Sequence, residues 1–101
     1  MPPSATSSVV TSFLLRRGPG GPRLLFLRRS ARVGTYRGRW AGISGYLEDA
    51  DPLAQALREI EEEAGLPPSA VQLLRAGRPL PVPDPRLGRL WIVHPFLFEV
   101  A

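Results

Sequence analysis

The apolar and β-branched positions near the start of the chain predict a β-hairpin. Residues 7–17 (SSVVTSFLLRR) are rich in apolar, β-branched and aromatic side chains, which is typical of a strand. The segment GPGGP at 18–22 carries strong turn signals, and RLLFLRR at 23–29 predicts the returning strand. A polar, glycine-containing loop is expected at 30–39, followed at 40–47 by a third strand that is interrupted by glycines.

The clearest helical pattern in the chain covers residues 51–64. Asp51 is a good N-cap, and Pro52 suits the first helical position. Gly65 fits a C-terminal cap, and the two prolines that follow shortly after it prevent the helix from continuing. Four apolar residues recur at helical spacing and predict a stripe that faces the core: Leu53, Leu57, Ile60 and Ala64.

The second half of the chain predicts two more strands, at 70–77 and 88–100. The proline-rich segment RPLPVPDPR at 78–86 predicts a loop between them, and Pro95 predicts an edge, a bulge or a break in the last strand. Strands, one main helix and further strands, in that order, predict the α+β class with a mixed sheet rather than a doubly wound parallel sheet.

Length and composition indicate one globular domain over residues 1–101. Hydrophobic residues make up 44% of the chain and charged residues 22%, and no apolar run is long enough to cross a bilayer. Cysteine is absent, which excludes disulfides and thiolate metal sites. The first residues lack the pattern of a secretion signal, so we expect a cytoplasmic location and no membrane partner.

The charges are unevenly distributed along the chain, and all 13 basic residues are arginine. Residues 1–40 carry eight arginines and no acid, whereas residues 41–66 carry seven acids and one arginine. A basic flank around an acidic segment suits a phosphate-bearing ligand that also needs a cation. The alternative is a compositional bias toward arginine, with most of these side chains simply solvated.

Four of the acids, Glu59 and Glu61 to Glu63, fall in the last turns of the predicted helix, where a helix does not favour negative charge. With the wheel centred on Leu53, three of them share the side away from the core, at spacings of three and four residues: Glu59, Glu62 and Glu63. Carboxylate clusters suit hard cations such as Mg²⁺ or Mn²⁺. The alternative is an ordinary acidic solvent face.

Residues 45–66 (GYLEDADPLAQALREIEEEAGL) resemble the Nudix box, whose form is G-x5-E-x7-R-E-U-x-E-E-x-G-U with U apolar. The second half of the box agrees at every fixed position, and the lead-in GRWAGISGYLE at 38–48 is similar to the strand that precedes the box in that family. The resemblance covers nearly the whole chain and implies an α/β/α sandwich built on a mixed sheet. The matched positions are Arg58, Glu59, Ile60, Glu62, Glu63, Gly65 and Leu66.

This sequence departs from the family pattern in two ways. The box is one residue short between Gly45 and Arg58, so its leading glutamate falls on Ala50 or Asp51, depending on the direction of counting. Asp51 or Glu48 are the candidates to replace it, and Ser44 stands where the family has the first glycine of a pair. Family members also continue with a further strand and a helix, so we expect this domain to lack its C-terminal helix.

The resemblance implies a metal-dependent hydrolase that cleaves the pyrophosphate bond of a nucleoside diphosphate linked to another moiety. It assigns Glu59, Glu62 and Glu63 as ligands of Mg²⁺ or Mn²⁺, with Glu62 and Glu63 as the main ones. Glu59 is either a further ligand or the general base, and Arg58 orients the carboxylates. The expected catalytic residues are therefore Arg58, Glu59 and Glu62.

Contacts to the bound nucleotide and its cation are expected from the backbone carbonyl near Ser44 or Gly45 and from arginines such as Arg28, Arg29 or Arg39. Trp40, Tyr36 and Tyr46 are candidates to stack on a base. Three other aromatic or imidazole side chains are expected to have structural roles, the first two of them in the core: Trp91, Phe96 and His94.

The alternative to an enzyme is a non-catalytic or incomplete Nudix domain that binds nucleotide or a partner protein. The shortened box and the expected lack of a C-terminal helix motivate it. A homodimer or a fused C-terminal domain is possible under either hypothesis, whereas nucleic acid binding through the arginine-rich first 40 residues is a weaker hypothesis.

Overall fold

The computed structural model describes residues 5–25, 27–28, 40–48 and 50–101, with the backbone alone for residues 27, 28, 40 and 41. These residues form a mixed β-sheet with an α-helix packed on one face, so the predicted α+β class is confirmed. The helix α1 spans Pro52–Ala64, and a 3₁₀ turn follows at Pro68–Ala70. The strands are β1 (Ala5–Gly18), β2 (Gly21–Leu25), β3 (Leu27–Arg28), β4 (Trp40–Ala41), β5 (Ile43–Tyr46), β6 (Val71–Ala76), β7 (Leu80–Asp84) and β8 (Arg89–Val100).

Two long parallel strands, β1 and β8, form the centre of the main sheet. β1 has 14 residues, so its other edge can pair antiparallel with two strands, β5 through residues 9–12 and β2 through residues 14–18. β8 in the same way pairs with β6 and β7 along its other edge. The short strands β3 and β4 pair with each other in a separate ladder.

The predicted N-terminal hairpin is confirmed, with a tight turn at Pro19 and Gly20. Within the predicted returning strand, β2 covers the residues up to Leu25 and β3 covers Leu27–Arg28. The predicted third strand is divided at Gly42 into the short strands β4 and β5. The loop predicted at 30–39 lies outside the described residues.

Local capping signals set both ends of α1, as predicted. Asp51 Oδ1 accepts a hydrogen bond from the backbone nitrogen of Leu53 at 3.0 Å, which satisfies one of the first-turn donors. Gly65 adopts a left-handed φ of 70° and donates its N–H to the carbonyl of Glu61 at 3.0 Å. Within the described residues, no helix has the length and hydropathy needed to cross a membrane.

The core lies between α1 and one face of the sheet. Alternate residues of β1 and β8 point toward the helix, because successive side chains of a strand face opposite sides. Truncation of a fully buried apolar residue in such a core costs about 2–5 kcal/mol. The buried apolar residues are Val10, Leu14, Ile43, Ala56, Ile60, Phe96 and Phe98.

The buried face of α1 differs in part from the predicted stripe. Ile60 is fully buried as expected, but Gln55 and Ala56 are fully buried as well. The small side chain of Ala56 allows the helix to approach the sheet closely on this side, so the buried face is rotated toward Gln55. Three of the predicted stripe residues pack only at the margin of the core: Leu53, Leu57 and Ala64.

The two aromatic residues expected in the core lie on opposite faces of the sheet. Phe96 is 8% exposed and belongs to the core, as predicted. The core placement of Trp91 was wrong, because Trp91 has the opposite parity in β8 and is only half-buried on the other face. Its ring lies 6.0 Å from that of Tyr46, and the guanidinium carbon of Arg89 lies 5.1 Å from the Trp91 ring centre.

The proline-rich segment is not the loop that the sequence predicted, because residues 80–84 form strand β7, paired antiparallel with β8. Pro81 and Pro83 are two residues apart, so their nitrogens point to the same edge. A strand tolerates proline where the nitrogen points away from its partner. The residues between and beside them remain available to bond to β8.

β8 continues through Pro95, so the predicted break in the last strand was wrong, and the gap lies between its partner strands instead. β7 pairs with residues 89–93 and β6 with residues 96–100, which leaves Pro95 between them. Its carbonyl accepts a hydrogen bond from the N–H of Gly77 at 2.9 Å, so its nitrogen faces the same gap. The parallel ladder to β1 therefore continues past this position.

We expect Gly77→Ala to lower the free energy of unfolding by about 1–3 kcal/mol, because the ring of Pro95 has no rotamer by which to retreat. The added Cβ would lie 2.7 Å from Cγ of Pro95. Urea unfolding measures the change. Gly18→Ala is the matched control, since nothing lies within 4 Å of the Cβ there. Equal unfolding midpoints for the two variants would contradict the prediction.

Candidate active site

The site is built where strand β5 passes beneath helix α1. Gly45 pairs with Val10 of β1, and the N–H of Leu47 donates to the carbonyl of Ser8 at 2.9 Å, so the strand is fixed up to the loop that leads into the helix. A Cβ on Gly45 would lie 2.8 Å from Cγ of Glu59 and closer still to its carboxyl group. Only glycine at this position lets the Glu59 side chain rest against the β5 backbone.

Glu59 is half-buried and is held by a neighbour one turn earlier in the helix. Gln55 Nε2 donates a hydrogen bond to Glu59 Oε1 at 2.8 Å. The other end of the same amide, Gln55 Oε1, accepts from the backbone nitrogen of Glu48 at 3.2 Å. The carboxylate of Glu59 thus lies between the backbone of Gly45 and the fully buried amide of Gln55.

The surroundings of Glu59 disfavour its charged form. Burial raises the pKa of the Glu59 carboxyl above its ordinary value of 4.5, and the nearby carboxylates of Glu62 and Glu48 raise it further. The hydrogen bond from Gln55 and the positive charge of Arg58 lower this pKa, but they do not cancel the increase. A carboxylate that is desolvated beside two like charges is a place where a cation would be stabilised.

The other predicted site residues of the helix lie around Glu59 without converging on it. Arg58, Glu62 and Glu63 are exposed and Glu59 is half-buried against β5, so of the three carboxylates expected on the outward side only Glu62 and Glu63 lie fully there. Among the described residues, no three acidic or histidine side chains converge tightly enough to hold a metal ion. The roles assigned to Arg58, Glu59, Glu62 and Glu63 stay predictions.

The two candidates for the missing box glutamate have different positions. Asp51 caps the helix, whereas Glu48 lies close enough to Glu59 to affect its pKa. Ser44 Oγ lies 3.0 Å from the hydroxyl of Thr11, on the face of the sheet opposite the helix. His94 is half-buried in β8 opposite Val10, and its structural role stays a prediction.

Several side chains predicted to contact a ligand lie outside the described part of the structure. Arg28 and Trp40 are described by their backbones in β3 and β4, while Arg29, Arg39 and Tyr36 lie outside the described residues. Gln55, in contrast, was missed by the sequence analysis. The available signal was its spacing of four residues before Glu59, which places the two side chains next to each other on a helix.

The comparisons with known proteins agree on one family. The family model described as NUDIX domain matches residues 6–101. Over 55 residues the chain is 42% identical to a protein of Escherichia coli O1:K1 / APEC described as "Uncharacterized Nudix hydrolase NudL". That match covers 52% of this chain and only 29% of the relative's length.

Solved structures share the fold at low sequence identity. RenU, a Nudix hydrolase from M. smegmatis, superposes with a TM-score of 0.74 at 22% identity, covering 94% of this chain and 61% of RenU. The C. elegans Ap4A hydrolase gives 0.74 at 17% identity, with coverages of 94% and 68%. The NUDIX domain of Shewanella oneidensis NrtR, complexed with ADP ribose, gives 0.65 at 18% identity, with coverages of 97% and 64%.

We expect Glu59→Gln to stabilise the protein in metal-free buffer at neutral pH relative to wild type, with the difference shrinking as pH falls below the ordinary carboxyl pKa of 4.5. Because the folded-state pKa of Glu59 is raised, the wild type loses stability as pH rises from below 4.5 through that folded-state value. Glutamine carries no charge to repel Glu62 or Glu48, and its oxygen can still accept from Gln55.

Thermal unfolding in EDTA at several pH values measures this difference. Glu61→Gln is the matched control, because it removes the same charge from an exposed position of the same helix. A stability gain for Glu59→Gln that is independent of pH, or no larger than that of the control, would contradict the prediction.

Proposed function

This chain belongs to the NUDIX domain family, as the box had indicated, and from that membership we propose that it is a metal-dependent hydrolase. Its substrate would be a nucleoside diphosphate linked to another moiety, cleaved at the pyrophosphate bond. The observation that supports this proposal best is the position of Glu59, whose carboxylate rests against Gly45, the first residue of the box. Two box positions that are 14 residues apart in sequence thus meet in space.

The donor atoms at the site suit a hard divalent cation. Glu59, Glu62 and Glu63 offer carboxylate oxygens, and Gly45 offers a backbone carbonyl, whereas the chain has no cysteine to favour a softer metal. We propose that Glu62 and Glu63 hold Mg²⁺ or Mn²⁺ and that Glu59 is a further ligand or the base. Since the side chains do not converge in the structure, the exposed Glu62 and Glu63 would change rotamer to bind.

Once bound, the cation would neutralise the diphosphate and lower the pKa of a bound water. The protein's own contribution is to orient the groups around it. Arg58 lies next to Glu59 in sequence and lowers its pKa, so it favours the ionised carboxylate that either role requires. Arg28 and Arg39 are proposed to contact the phosphates from the strongly basic first part of the chain.

The substrate class is narrowed only by the relatives. One similar structure is an Ap4A hydrolase, and another was solved with ADP ribose, so both compounds are sensible first substrates. The chain covers 61–68% of the lengths of the three solved structures and only 29% of the length of the curated relative. The substrate, a homodimer, a fused C-terminal domain and a cytoplasmic location are therefore all proposals for this protein.

A second candidate function is nucleotide binding without turnover. Two observations favour it: the box is one residue short between Gly45 and Arg58, and the described acidic residues do not converge on one point. It predicts that ADP ribose or a dinucleoside polyphosphate binds but is not cleaved at any Mg²⁺ or Mn²⁺ concentration.

We expect Glu62→Gln and Glu63→Gln each to lower kcat by about 100-fold or more, because each removes a charged ligand of a cation worth several kcal/mol in the transition state. The measurement is release of mononucleotide from ADP ribose, NADH, diadenosine polyphosphates and oxidised nucleoside triphosphates, with Mg²⁺ or with EDTA. Glu61→Gln, an exposed neighbour outside the fixed box positions, should retain wild-type activity.

The outcomes separate the two candidate functions. Turnover that is unchanged in Glu62→Gln and Glu63→Gln would rule out these ligands. Binding of ADP ribose by the wild type with no product from any compound in the panel would replace the hydrolase proposal with the binding one.

A further inference from the structure

Gln55 is a polar residue placed where the fold buries its helix most deeply. Its side chain is fully buried, and Ala56 and Ile60 beside it are fully buried as well. Burying an amide costs free energy unless its donor and acceptor both find partners. Leucine or methionine would fill the same volume without that requirement, so the amide at this position calls for an explanation beyond packing.

Two hydrogen bonds of Gln55 fix which way its amide points. A backbone nitrogen can only donate, so the N–H of Glu48 requires the oxygen end of the amide, Oε1, at 3.2 Å. The nitrogen end must then face Glu59, where it donates to Oε1 at 2.8 Å. An ionised carboxylate can only accept a hydrogen bond, so Glu59 cannot act as the donor to Gln55. The donor and acceptor roles in this network are therefore fixed.

This arrangement restricts the carboxylate of Glu59 from two sides. The backbone at Gly45 blocks one direction, and the buried amide of Gln55 binds one oxygen. Because Gln55 binds Oε1, we assign the second oxygen, Oε2, to a cation or a water. The same amide also holds the loop at Glu48, so the loop and Glu59 are kept at a fixed separation.

The chemical nature of the donor also matters. An arginine or lysine at position 55 would hold Glu59 equally well, but it would neutralise the negative charge that attracts a cation. The neutral amide orients the carboxylate and leaves the charge of Glu59, Glu48 and Glu62 in place.

We propose that Gln55 is a positioning residue, which aligns the Glu59 carboxylate with the loop at Glu48 for binding a divalent cation and for the hydrolysis that follows. This role rests on the proposed function of the site, because Gln55 acts only through Glu59. It differs from a packing role in one respect. Replacement of Gln55 by an apolar residue of similar volume lowers kcat even when the fold is retained.

The test compares Gln55→Met with Gln72→Met, a control that makes the same substitution at an exposed position of β6. Gln55→Met keeps the buried volume and removes the hydrogen bonds to Glu48 and Glu59. We expect its kcat to fall about 10–100-fold with KM changed less than about threefold, because the reacting geometry is lost while substrate contacts remain. Affinity for Mn²⁺, measured by electron paramagnetic resonance, should weaken by about 10-fold or more.

A second variant, Gln55→Leu, also fills the buried volume and has neither a donor for Glu59 nor an acceptor for the N–H of Glu48. It should lose kcat as Gln55→Met does. If neither variant folds, NMR of the wild type tests the proposal. The chemical shifts of the Gln55 side-chain amide protons should change on addition of Mg²⁺, and unchanged shifts would overturn the proposal.

The failure of this proposal can be told apart from failure of the proposed function. If the wild type turns over substrate, and a folded Gln55→Met variant has the same kcat and the same Mn²⁺ affinity as the wild type, the positioning role alone is overturned. A second outcome is that the wild type shows no turnover while Gln55→Met binds Mn²⁺ more weakly than both the wild type and Gln72→Met do. That result overturns hydrolysis and supports the positioning role. Absent turnover with equal or no Mn²⁺ binding overturns both.

Discussion

The close approach of helix α1 to strand β5 is the constraint on which the site depends. At the point of contact, Gly45 has no side chain, and Glu59 occupies the space that a Cβ would fill. The pairing of Gly45 with Val10 fixes the strand, and the deeply buried Ala56 allows the helix to come near. Sheet register and helix packing therefore both determine where the Glu59 carboxylate lies. The small residues Gly45 and Ala56 leave room for this close contact.

The sequence predicted best those parts of the fold that local interactions determine. The caps of α1 at Asp51 and Gly65 and the first hairpin are of this kind, because each depends on backbone geometry within a few residues. β7 was missed for the opposite reason. Whether Pro81 and Pro83 disrupt a strand depends on which edge of it is paired, and only the tertiary arrangement with β8 decides that.

The same distinction applies to the candidate site. The box pattern identified Gly45 and the helix glutamates, but it assigned Glu59 to the solvent side of the helix. The wheel was centred on the large residues Leu53 and Leu57, whereas a helix approaches a sheet most closely where its side chains are small. Ala56 and Gln55 are accordingly as fully buried as Ile60. Sequence periodicity reports the apolar face and cannot report which part of it is nearest the sheet.

The prolines of β7 also affect how copies of this protein can associate. Leu80 and Val82 are 52% and 43% exposed, and an unprotected strand with such residues would invite intermolecular β-sheet growth. Pro81 and Pro83 remove the amide donors from the outward rim of this strand, so an incoming strand would find no continuous ladder there. The apolar residues can thus stay at the surface without offering a template for fibrils.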